Sequence, residues 1–102
     1  MAEFTKLATA AEVPLGQAKL VVAGGKRIAL FNVGGSYYAI DDTCPHRGGP
    51  LSQGAVEGET VTCPWHRSKF DIKTGAVIAP PAVADVASYR VRVSGSDVEV
   101  EV

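Results

Sequence analysis

Alternation of apolar and polar residues is the dominant pattern along the chain. Val98, Val100 and Val102 alternate with Glu99 and Glu101, and Tyr89, Val91 and Val93 alternate with Arg90 and Arg92. A period of two places the apolar members on one face of a strand. Ser94-Gly95-Ser96-Asp97 separates the two runs, so the C-terminal end is predicted to be a β-hairpin. Upstream, Lys19 to Val22 and Arg27 to Val33 flank Ala23-Gly24-Gly25-Lys26, and Gly34-Gly35 precedes Ser36 to Ile40. Glycine pairs permit the positive φ angles of tight hairpins, which predicts three meandering strands.

The middle of the chain has a different texture. Asp41 to Gly58 is crowded with Gly, Pro and polar residues, and a further loop runs through Lys73-Thr74-Gly75 and Ala79-Pro80-Pro81-Ala82. Helical periodicity is confined to Val83 to Ser88, a turn or so at most. Turn signals recur about every 8 to 12 residues, as in small sandwiches and barrels. The expectation is one all-β domain over residues 1–102, with loops inserted between strands.

Composition narrows the class of partner. The 102 residues suffice for one domain, and a net charge of −1 supplies no bulk field for nucleic acid or an anionic membrane. The longest apolar runs, such as Ile28 to Phe31, fall far short of the roughly 20 residues of a spanning helix. Met1-Ala2-Glu3-Phe4-Thr5-Lys6 shows neither a basic region followed by an apolar stretch nor a twin-arginine pair. A cytoplasmic location is the expectation.

The candidate chemistry lies in four residues. The chain has two cysteines, Cys44 and Cys63, and two histidines, His46 and His66, arranged as C-x-H, sixteen intervening residues, then C-x-x-H. Each half stands where a strand empties into a loop, so one thiolate and one imidazole from each loop can converge on a shared centre. Two readings compete: a tetrahedral zinc held by all four side chains, or a two-iron, two-sulfide cluster with two Cys on one iron and two His on the other. Zinc motifs usually group Cys with Cys and His with His, whereas here each loop is mixed.

Cys44-Pro45-His46-Arg47-Gly48-Gly49-Pro50-Leu51 and Cys63-Pro64-Trp65-His66, followed by Phe70-Asp71 and Thr74-Gly75, resemble the Rieske-type ferredoxins of bacterial ring-hydroxylating dioxygenase systems. The likeness extends over essentially the whole chain, including Pro80-Pro81, where that family has a loop covering its cluster. It implies a Rieske-type antiparallel β-sandwich or barrel with a cluster-binding loop subdomain at about 42–81, and one [2Fe-2S] cluster per chain. By the same resemblance, Cys44 and Cys63 bind the buried iron, and His46 and His66 the iron nearer solvent.

Charge explains the mixed ligand set. A diferric cluster with two sulfides and two thiolates is neutral and becomes singly negative on reduction, whereas a four-thiolate cluster passes from −2 to −3. The potential of the mixed centre is therefore higher, roughly −150 to +300 mV in Rieske proteins. Within that range the resemblance implies the lower part. High-potential members carry two further cysteines joined between the cluster loops, and Gly49 and Trp65 stand at the matching positions. Those members also place Ser and Tyr hydroxyls near the cluster; Ser68 is retained, but Phe70 replaces the Tyr. A lost donor of ~1 kcal/mol lowers a one-electron potential by roughly 45 mV. Arg47, and Arg67 where the family commonly has Gly, act in the opposite sense by favouring the reduced state.

With both histidines assigned to the cluster, none remains for the 2-His-1-carboxylate site that activates oxygen. No G-x-G-x-x-G follows a strand, so flavin and nicotinamide binding are unsupported. The chain is expected to be no enzyme but a one-electron relay between a flavoprotein NAD(P)H ferredoxin reductase and a terminal non-haem iron oxygenase. Alternatives are an accessory subunit similar to the nitrite reductase small subunit and a structural zinc-binding interaction module. Trp65 suits either core packing or shielding of the cluster. Arg47, Arg67 and Lys69 suit either solvated charge or a docking rim for acidic partners, opposed by Asp41, Asp42, Glu57 and Glu59.

Overall fold

One strand organises the molecule, and its sequence shows why. Ile28, Ala29, Leu30 and Phe31 are contiguous, and all four are fully buried. A continuous apolar run of this kind is what a strand covered on both faces requires. In the computed structural model, which describes residues 3–45, 48–65, 67–80 and 84–102, these residues form the centre of β3 (Lys26–Val33). Ile28 and Leu30 join Ala8, Val21, Val98 and Val100 in one core cluster. Ala29 and Phe31 face the other way, into a second cluster with Ile40, Leu51, Val61, Phe70, Ile72 and both cysteines. Each large apolar side chain so buried contributes about 1.5–3 kcal/mol.

The other strands are β1 (Phe4–Thr9), β2 (Ala18–Ala23), β4 (Ser36–Asp41), β5 (Ala55–Glu57), β6 (Thr60–Thr62), β7 (Lys69–Asp71), β8 (Val77–Ala79), β9 (Ser88–Tyr89), β10 (Val91–Ser94) and β11 (Asp97–Glu101). They form three sheets, in the orders β1-β11-β10, β2-β3-β4-β9 and β5-β6-β7-β8. Every pairing is antiparallel. The all-β, antiparallel architecture expected from the sequence is the one observed. Among the described residues, no helix is long and apolar enough to cross a membrane.

The β2-β3-β4 meander forms as predicted, with Gly24-Gly25 and Gly34-Gly35 at its two corners, all four at positive φ. Asn32 braces the second corner: its Oδ1 accepts from Gly35 N (3.1 Å) while its Nδ2 donates to Val13 O (2.9 Å). The C-terminal hairpin also forms, with Val91 opposite Val100 and Val93 opposite Val98.

Three expectations are corrected. Tyr89 is not part of that hairpin; it lies in β9 opposite Ala39 of β4, and the chain changes sheet at Arg90. Val93 is 50% exposed rather than buried, because β10 is an edge strand flanked on one side only. Val83 lies outside the described residues, and positions 84–88 hold no helix. There Val86 N donates to Gly75 O (2.9 Å) and Asp85 Oδ1 accepts from Val77 N (2.8 Å), so polar groups are satisfied across the loop and Ser88 enters β9. The loop expected over Asp41 to Gly58 also carries a short 3-10 turn at Leu51–Gln53 and strand β5.

Candidate metal centre

Cys44 follows the end of β4 and Cys63 follows β6, as the motif positions imply. Each opens a turn, and the two turns close in the same way. Cys44 N donates to Gly49 O (2.9 Å), and Gly48 N donates to Cys44 O (2.7 Å). Cys63 N donates to Ser68 O (2.7 Å), and Arg67 N donates to Cys63 O (3.1 Å). In both, the cysteine is bonded to the residues four and five positions on, and a proline follows it with its fixed φ. The fourth residue is left-handed in both: Gly48 has φ 77° and Arg67 has φ 63°. Arg67 is the one non-glycine residue at positive φ among the described residues.

The first turn is anchored from below by Asp42, which is 1% exposed. Its backbone N donates to Arg27 O (3.0 Å), its carbonyl accepts from Leu51 N (2.7 Å), and its Oδ1 accepts from Ser52 N (2.7 Å). Asp41, its neighbour, holds β9 in place. The Tyr89 hydroxyl donates to Asp41 Oδ1 (2.5 Å), and Ala87 N donates to Asp41 Oδ2 (3.2 Å). Burial, and then the charge and hydrogen bond of Asp41, push the Tyr89 hydroxyl up to about 12. Glu59 is paired with Lys73 (2.7 Å). These acids brace the fold, a role that the sequence reading, which saw only a field opposing the basic rim, missed. Two acids at the junction of a strand and a Pro/Gly-rich loop were the available signal.

Both cysteines are thiols rather than a disulfide, and each is 2% exposed within the cluster that includes Leu51, Val61, Phe70 and Ile72. The two turns meet at Gly49. A Cβ on Gly49 would lie 2.6 Å from Cys63 Sγ and 3.2 Å from Trp65 Cγ. Only a residue without a side chain fits that cradle. Trp65 itself is 57% exposed, so the core-packing reading is overturned. Ser68 and Phe70 are fully buried behind the second turn. His46, Arg47, His66 and Pro81 lie outside the described residues.

Two buried sulfurs presented by matched turns make a soft-metal donor set, and the mixed Cys and His sequence spacing suits an iron–sulfur centre. The residues present fit such a group: the thiols are withdrawn from solvent, and the cradle at Gly49 holds the turns in direct contact.

Comparison with known proteins agrees. Residues 3–90 match the family model for the Rieske [2Fe-2S] domain. The chain is 44% identical over 92 residues to the 3-phenylpropionate/cinnamic acid dioxygenase ferredoxin subunit of Shigella boydii serotype 4 (strain Sb227), covering 89% of this chain and 86% of that protein. Among solved structures, the ferredoxin of carbazole 1,9a-dioxygenase from Nocardioides aromaticivorans IC177 superposes with a TM-score of 0.90 at 31% identity, covering 95% of each chain. A ferredoxin in complex with the oxygenase of carbazole 1,9a-dioxygenase superposes equally well, at 0.90 and 29% identity, covering 96% of this chain and 92% of that one. Two thiols set in twinned turns of an all-β scaffold thus coincide with a family match over most of the chain. This protein belongs to the Rieske [2Fe-2S] family, as an electron-transfer component with one Rieske-type cluster per chain.

Proposed function

We propose that the chain is a low-potential Rieske ferredoxin that takes single electrons from a flavoprotein NAD(P)H reductase and delivers them to a terminal non-haem iron oxygenase. Cys44 and Cys63 hold one iron, and His46 and His66 hold the other. Residues 1–102 act as a single Rieske domain, with the cluster-binding part at about 42–81. The observation that carries this reading is the pair of identically closed turns that bring two buried thiols against Gly49. The dioxygenase ferredoxin subunit similar to it, and the ferredoxin solved with its oxygenase, support the choice of acceptor. The compartment proposed for the chain is the cytoplasm.

When bound, the cluster supplies reversible one-electron chemistry at a potential above that of a four-thiolate centre. The chain supplies the environment. The apolar shell of Leu51, Val61, Phe70 and Ile72 keeps water from the sulfur ligands. Phe70 presents no hydroxyl where high-potential members offer one, which holds the potential low. Neither turn carries a spare thiol that could cross-link the loops.

The test is an absorption and EPR spectrum of the purified protein before and after dithionite, with iron and acid-labile sulfide analysis. Equal iron and sulfide, and a signal that appears on one-electron reduction, are expected. Zinc without sulfide overturns the reading. Cys44→Ala and Cys63→Ala each abolish the cluster; a centre that survives either change refutes the ligand assignment.

A further inference from the structure

We propose that Arg67 is a specificity-determining docking residue that selects protein partners with an acidic surface at the point of electron exchange, an inference that rests on the carrier function above. The two cysteine turns form a natural control for this position. Gly48 fills the left-handed corner of the first turn, and Arg67 fills the same corner of the second. Glycine adopts that conformation freely, whereas an L side chain is strained there by its Cβ. The backbone therefore asks for glycine, and the strain at Arg67 persists for a reason outside the backbone.

No ion pair among the described residues supplies that reason. Arg67 is exposed, and the ion pairs among the described residues are made by Lys6, Lys19, Lys73 and Arg92. Its neighbour Trp65 is 57% exposed. Lys69, also exposed, lies two residues on and adds a second cationic side chain to the same stretch. An exposed indole and an exposed guanidinium carried by the same turn, on either side of His66 in the sequence, have the composition of an interface centre. Positive charge there attracts an acidic surface and accelerates encounter without requiring a tight complex.

Reduced holoprotein is mixed in stopped flow with two haem acceptors, cytochrome b5, whose surface is acidic, and cytochrome c, whose surface is basic. The readout is the ratio of the two rate constants, in which any change of driving force common to both acceptors largely cancels. At low ionic strength Arg67→Glu lowers the ratio of b5 to c rates about tenfold and Arg67→Gly about threefold. Arg67→Lys retains it, and the differences vanish at 1 M salt, where charges are screened within about 3 Å. The thermal midpoint of the Arg67→Gly holoprotein rises as the strain is relieved. A ratio unchanged in Arg67→Glu, or a midpoint that falls in Arg67→Gly, overturns the proposal while leaving the carrier function intact. A cluster that cannot be reduced by one electron overturns both.

Discussion

Replacing Gly49 with Ala places one methyl group where the two cysteine turns touch. Gly49 is not at positive φ, so the backbone accepts alanine and the cost is steric. The new Cβ lies 2.6 Å from Cys63 Sγ and 3.2 and 3.3 Å from Trp65 Cγ and Cδ2. Unstrained contacts lie at about 3.5–4.0 Å, so roughly 1 Å of overlap with the sulfur must be relieved. The exposed indole can swing into solvent. Cys63 cannot, because it is 2% exposed and its backbone is bonded on both sides to Arg67 and Ser68. Overpacking of this kind costs about 1–3 kcal/mol. At about 4–8 °C per kcal/mol for a domain of this size, a cost of about 2 kcal/mol lowers the thermal midpoint by about 10 °C. The assay pairs circular-dichroism melting with iron and sulfide content per chain, and Gly49→Ala is expected to fall in both. Gly48→Ala is the control. Its added Cβ meets only Thr43 Cγ2, at 3.8 Å, but its φ is 77°, so it loses stability through backbone strain and keeps its cluster. Wild-type iron and sulfide in Gly49→Ala, or equal cluster loss in both variants, refutes the reasoning.

Two further outcomes follow from the acids beneath the site. Asp42→Ala removes the carboxylate acceptor of Ser52 N, a bond worth about 1.5–3 kcal/mol, and lowers the thermal midpoint by about 6–24 °C, whereas Asp42→Asn recovers most of it; an unchanged midpoint in the Ala variant contradicts the anchoring role. Tyr89 has a folded pKa of about 12 against about 10 when unfolded. Its contribution to stability is therefore complete below about pH 10 and is lost as pH rises through 12. Phenolate absorbance shows a late ionisation that Tyr89→Phe removes; a late phase that survives in Tyr89→Phe, or its absence from the wild type, contradicts the assigned environment.

What could be read from the sequence follows the length of the signal. The meander and the C-terminal hairpin announce themselves through glycine pairs and alternation over five or more residues. Strands β5 to β8 have three residues each and no period to detect; pairing with neighbours makes them strands. Strand β1 escaped because a bulge between Lys6 and Ala8 breaks its register against β11. Tyr89 continues the alternation of β10 in sequence but not in space, since one residue suffices to switch sheets. The two cysteines were legible from spacing as a candidate donor pair. The equivalence of their turns was not, because the left-handed corner is marked by glycine in one and hidden under Arg67 in the other. For Trp65 residue type left core packing and cluster shielding open, and its exposure depends on which way the second turn projects.

Strand β3 has a consequence for anyone who would move this iron site elsewhere. Since Ala29 and Phe31 belong to the core cluster that holds both thiols while Ile28 and Leu30 belong to the other, the two halves share a wall and neither can be lifted out intact. A graft limited to the two cysteine segments would leave their apolar underside open to water. A host scaffold must therefore offer a strand lined on both sides, and amide exchange along β3 should report only the opening of the whole molecule.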